Sequence, residues 1–135
     1  MSNWTHVAAV ARICYVPFLD GATAPCFEKI FGKELLWESS EELWEEADEH
    51  PERFLPIGSE GSLRMTVWEN PDKCQACQYT ITIFGDLRSY ERAQDVVEWF
   101  KEKLKECGGY DNVRNAAITA TNEYGPSASW SLDDL

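Results

Sequence analysis

Residues 61–109, GSLRMTVWENPDKCQACQYTITIFGDLRSYERAQDVVEWFKEKLKECGG, hold two alternating apolar runs followed by a helical one. From Gly61 to Glu69, Leu63, Met65 and Val67 share one face, and from Cys77 to Gly85, Tyr79, Ile81 and Ile83 do the same. A period of two marks half-buried strands, and Asn70 to Ala76 is the loop of a hairpin between them. The period then changes. Ala93, Val96, Val97, Phe100 and Leu104 recur at three and four residues, which predicts a helix opened by Asp86 or Ser89 and closed by Gly108 and Gly109.

Working outward, His6 to Val16 is apolar on both faces, as a central strand requires. After Asp20 and Gly21, Thr23 can cap a helix with Pro25 in its first turn, and Phe27, Ile30 and Phe31 give it a buried face up to Gly32. A second helical piece follows, in which Ser39 and Glu42 have capping-box spacing, Leu43, Trp44 and Ala47 form a short apolar stripe, and Pro51 marks the end. The last strand, Val113 to Glu123, sets Ala116, Ile118 and Ala120 against Ala117, Thr119 and Thr121. The order strand, helix, strand, strand, helix, strand predicts one α+β domain over residues 1–135, a ferredoxin-like β-α-β-β-α-β sandwich. Its four-stranded antiparallel sheet carries helices on one face and an extra acidic helix before the second strand. The tail 125–135 is polar apart from Trp130, which packs back on the body.

Charge narrows the function. The 24 acidic and 12 basic residues give a net charge of −12, which disfavours nucleic acid or an anionic membrane as a direct ligand. Met1 to Ala11 lacks the pattern of a secretory signal, and no run approaches the ~20 apolar residues of a membrane span, so the expectation is a soluble, cytoplasmic protein. Between residues 34 and 60, ten carboxylates face Arg53 alone. Within this acidic segment Glu38, Glu41, Glu42, Glu45, Glu46 and Glu49 recur at helical spacing and predict a negative ridge. Such a ridge either keeps the protein soluble or imitates a phosphate backbone and occupies the basic groove of a nucleic-acid-processing protein. Calcium binding is a third and weaker alternative, since no Asp-rich loop with EF-hand spacing is present.

The sheet face opposite the helices is readable as well. It carries Thr66, Thr80 and Thr82 with two large aromatics, Trp68 and Phe84, and is either covered by the tail or the Leu35 to Trp37 segment or left open for a ligand or a homodimer. RNA-recognition domains stack bases on such a face, but their glycine-and-aromatic strand signature is absent and the charge has the wrong sign. Five cysteines is an odd number, and free thiols are the default in a reducing compartment. The topology gathers Cys14, Cys26, Cys74, Cys77 and Cys107 at one sheet edge. The Cys74-x-x-Cys77 pair, completed by two others such as Cys14 and Cys26, has the spacing of a zinc site, the only cofactor the sequence raises. A redox role is disfavoured because the pair sits on a hairpin rather than at a helix start. No enzyme is indicated: His6 and His50 lack a neighbouring nucleophile, and no phosphate loop or nucleophile elbow occurs.

The opening Met1-Ser2-Asn3-Trp4, followed almost at once by a strand, resembles the Asn-Trp start of YubB-type ferredoxin-like proteins of plasmids and phages, and Trp130 stands where those chains also end in aromatics. Thr5 replaces their usual cysteine, and the acidic segment has no counterpart in them. The resemblance implies the fold and a mobile-element origin and carries no active-site residue. The sequence thus points to a non-catalytic accessory protein that binds a protein partner through the acidic helix and the face with Trp68 and Phe84. A zinc module and a homodimer are the alternatives.

Overall fold

The computed structural model describes residues 3–15, 26–71, 77–89 and 92–134. Among them the chain is a mixed α+β fold built on one antiparallel sheet of five strands, β1 (Trp4–Tyr15), β2 (Leu63–Glu69), β3 (Cys77–Arg88), β4 (Val113–Asn122) and β5 (Ala128–Ser131). The spatial order is β2-β3-β1-β4-β5. Three α-helices are described: α1 (Phe27–Phe31), α2 (Glu41–Glu49) and α3 (Ala93–Lys105). The predicted Thr23 cap, Pro25 and the end of the first strand at Val16 lie outside the described residues.

β1 is central because β3 and β4 satisfy both its edges. Its Val7, Ala9, Ala11 and Ile13 are buried with Ile81, Ile83, Ala116, Ile118 and Ala120 of its neighbours. Alanine at four of these positions keeps the middle of the sheet shallow, and large helix residues fill the space. Phe100 of α3 is fully buried, Phe31 of α1 lies 6.4 Å from it, and Phe27 meets Tyr79 edge-on at 5.2 Å. Interlocking large against small residues is how a core reaches close packing. A second, smaller cluster of Leu35, Ala47 and Phe54 anchors α2, and Lys33 bridges Phe54 beside it. Gly32 permits that approach, for a Cβ there would stand 2.4 Å from the Phe54 carbonyl carbon.

The strand count corrects the sequence reading, which allowed four. The polar tail contains β5, paired with β4, and brings Trp130 to 8 % exposure with its ring 6.4 Å from Phe100. The turn into β5 is organised by Asn122. Its side-chain amide donates to Thr5 Oγ1 at 2.9 Å, while its Oδ1 accepts from the backbone N–H of Tyr124 at 3.0 Å and of Gly125. One buried amide therefore ties β1, β4 and the reversal together.

Two boundaries also move. β3 does not stop at Gly85 but runs on to Arg88, so Asp86 is a strand residue paired with His6 rather than a helix start. Gly85 lets the strand pass because a Cβ would meet the Ser62 carbonyl oxygen at 2.5 Å. α3 begins at Ala93, and its N-cap, Arg92, makes no side-chain cap. α2 is capped by Ser40, which accepts from Leu43 N at 3.3 Å, while Ser39 instead accepts from Leu36 N at 2.9 Å.

Replacing Asn122 by alanine is expected to cost about 1–3 kcal/mol, because it strands buried donors and the Thr5 hydroxyl. Hydrogen exchange should show β5 opening more readily than β1 and β3, and unchanged protection of β5 would contradict this role for Asn122.

Candidate functional site

Two surfaces stand out. On the first, α2 turns Ala47 and part of Leu43 inward and leaves Glu41, Glu42, Glu45 and Glu49 exposed. No cation lies within salt-bridge distance of these four among the described residues. Glu46 differs: it faces Lys33 Nζ and Arg53 Nη1, each at 3.4 Å, and serves the fold. Glu38 lies exposed in the turn before the helix. Glutamates four apart repel by about 0.2–0.5 kcal/mol per pair, only partly offset for Glu41 and Glu42 by their place in the first helical turn. The ridge is thus maintained against a local cost.

Beside it stand two tryptophans to which the sequence reading gave no binding role. Trp37 is 95 % exposed and Trp44 is 36 % exposed. With Leu35, Leu36, Glu38 and Glu60 they line a groove of about 480 Å³, which Arg64 also borders. Glu60 pairs with Arg88 at 2.8 Å and Arg64 faces Glu34 at 3.9 Å, so Glu38 is the groove's unpaired charge among the described residues. The signal in the sequence was the Leu35-Leu36-Trp37 run, whose third member has no partner in the core.

The second surface is the sheet face opposite the helices. Trp68 is 57 % exposed and Phe84 48 % exposed, and neither the tail nor the Leu35 to Trp37 segment covers them. Strand register arranges this face in cross-strand rows. Arg64, Phe84, Ala8 and Thr119 form one, and Thr66, Thr82, Val10 and Ala117 the next, with the Thr66 and Thr82 hydroxyls hydrogen-bonded. The two ends beyond these rows differ in charge. At one end His6 Nδ1 is 2.6 Å from Asp86 Oδ1 and its Nε2 is 3.6 Å from Glu123 Oε2. The other end holds Trp68, Thr80, Arg12, Asn115 and Arg114.

Arg114 is there because of a bulge. Pairing steps from Arg12 with Asn115 to Ile13 with Val113, leaving Arg114 without a partner on β1. Two successive residues, Arg114 and Asn115, are then exposed between buried Val113 and Ala116. Arg12 Nη1 donates to Asn115 Oδ1 at 3.1 Å. Neither arginine has a carboxylate within 4.0 Å among the described residues, and both line a cleft of about 330 Å³ with Trp68, Gln78 and Cys14.

The cysteines separate where they are described. Cys14 is buried in the floor of that cleft, Cys107 is buried in the core on the opposite side of the sheet, and Cys26 is exposed before α1. Cys74 lies outside the described residues, as does the side chain of Cys77. Among the described residues no three His, Cys, Asp or Glu side chains converge as a metal site would require. Burial, aided by Glu106, pushes the Cys107 thiol up to about 12, which leaves it protonated and unreactive. His6 is raised, first by its hydrogen bond to Asp86 and then by the charges of Asp86 and Glu123. His50 stands 3.3 Å from Glu52 at the end of α2.

No protein-family model, curated protein or solved structure matches the chain. No helix among the described residues is long and apolar enough to cross a membrane.

Nuclear magnetic resonance should find His6 titrating above the usual value of about 6.5, and Asp86→Asn should bring it back down. Because the fold favours protonated His6, its stabilisation is complete below the unfolded-state value and disappears as pH rises through the folded one. Melting temperatures of the wild type and Asp86→Asn should therefore differ most in acid and converge in base. A constant difference across pH would refute the coupling. In a separate test, a thiol reagent should label native Cys26 at once and reach Cys14 and Cys107 only on unfolding. Rapid native labelling of Cys107 would contradict its burial.

Proposed function

We propose that this protein is a ferredoxin-like, non-catalytic binding protein whose acidic helix docks in a basic groove of a nucleic-acid-processing partner. The observation that carries this reading is the set of four exposed glutamates, Glu41, Glu42, Glu45 and Glu49, unpaired among the described residues and set beside exposed Trp37 and Trp44. Glutamates four residues apart are about 6 Å apart along the helix axis, nearly twice the ~3.4 Å axial spacing of phosphates on one DNA strand. A groove built for nucleic acid would meet charges at compatible intervals. Trp37 and Trp44 supply what phosphates lack, a desolvated anchor of the residue type that dominates interface energetics.

The ferredoxin-like assignment is supported by the order β2-β3-β1-β4 with every neighbour antiparallel, β5 being an addition outside β4. In this arrangement α1 follows β1, α3 follows β3, and α2 belongs to the connection that enters β2. The acidic helix is therefore an insertion free to vary without disturbing the sheet.

Lysine at positions 41, 42, 45 and 49 together should abolish capture of the partner at moderate salt, with Glu46 left in place to preserve the fold. Trp37→Ala should weaken the complex by roughly thirtyfold, the about 2 kcal/mol of a hot-spot tryptophan. DNA should compete with the wild-type protein for the same partner. Equal capture by wild-type and charge-reversed baits, or no competition by DNA, would sink the proposal.

A further inference from the structure

We infer that the open sheet face is a two-fold interface between two copies of this chain. Strand register sorts the charges on that face by end. Asp86 and Glu123 occupy one end, tempered by His6, while Arg12 and Arg114 occupy the other. Between them lie two rows, Phe84, Ala8 and Thr119 in one and Thr66, Thr82, Val10 and Ala117 in the other, small or flat except where Arg64 ends the first on β2.

An isologous contact joins a patch to itself, so the patch must be complementary to its own rotated image. Place a two-fold axis in the plane of the face, perpendicular to the strands, between those two rows. Rotation lays each row on the other and reverses the ends. Arg12 of one copy then stands over the His6–Asp86 pair of the second, Arg114 stands over the Glu123 end of β4, and the reciprocal contact repeats at the far end. On the β2 side the same rotation lays Thr66 over Arg64 of the second copy and Trp68 over the start of its β2. A parallel stacking without end reversal would set like charges together, so the pattern selects one geometry.

Area is sufficient. Strands about 4.8 Å apart, rising about 3.3 Å per residue, give the five-stranded face roughly 600 Å² once its short edges are discounted. Two such faces bury roughly 1,200 Å², the lower bound of specific interfaces. Small central residues allow two sheets to approach, as facing sheets in a sandwich do at about 10 Å. The bulge fits the same account, since without it Arg114 would point into the core and the positive end would hold one guanidinium. The acidic helix is not used, although Arg64 borders both this face and the groove beside the helix.

Sedimentation across a broad concentration range should show the mass doubling in the micromolar regime expected of a small interface. Arg12→Glu with Arg114→Glu should be monomeric, as should Asp86→Arg with Glu123→Arg. Mixed in equal amounts the two variants should form a heterodimer, because each now presents ends complementary only to the other. Thr82→Arg at the centre of the face should also abolish the dimer while leaving the fold intact by circular dichroism. A wild-type monomer throughout the range, a dimer insensitive to Thr82→Arg, or folded charge variants that do not combine on mixing would overturn the inference.

Discussion

The structure depends on a single strand paired at both edges. β1 spends its backbone donors and acceptors on β3 and β4, so it sits where water does not compete and where a break in register would disrupt both neighbours. That position requires apolar residues facing the helices, and the chain supplies them with an alternation of Val7, Ala9, Ala11 and Ile13. The alanines matter as much as the larger residues. They share one buried core with Phe100 and Phe31, and an added methylene there would overpack it.

Regular elements were legible in the sequence where the period was unbroken and long. The β2–β3 hairpin and α3 are written in alternation and in three-four spacing over many residues, and the structure keeps both. The misreadings came from short or irregular features. Gly85 reads as a stop, yet its missing side chain is what lets β3 pass Ser62. Ser127, Ser129 and Ser131 alternate with Ala128 and Trp130, but four strand residues with one large apolar member do not stand out against a polar tail. Arg114 reaches the open face through a bulge, which breaks the period of two on which such a reading relies. Of the candidate site residues, exposure of the α2 glutamates followed from helical spacing, whereas the inward turn of Glu46 depended on Lys33 and Arg53 arriving from elsewhere in the chain.

Charge in this protein is partitioned rather than merely abundant. Among the described residues, four glutamates on α2 project with no cation in salt-bridge reach while Arg12 and Arg114 on the open sheet face have no carboxylate within 4.0 Å. In a chain with net charge −12, the simplest way to lower self-energy would be to pair these groups with one another. They belong to separate parts of the fold, α2 to its own small core and the arginines to β1 and β4, and this separation gives the molecule two surfaces of different electrical character.

Glu34 brings the edges of the sheet into the same picture. Its carboxylate accepts the Met65 backbone N–H at 2.8 Å on β2, an outer strand that would otherwise offer a ladder of free donors. The other outer strand, β5, is only four residues long. With one outward N–H of β2 taken by a carboxylate and β5 only four residues long, each border offers a smaller template for strand-by-strand growth, the usual route from a β protein to a fibre. Both features act against edge-to-edge pairing and leave association to the broad surfaces of the sheet.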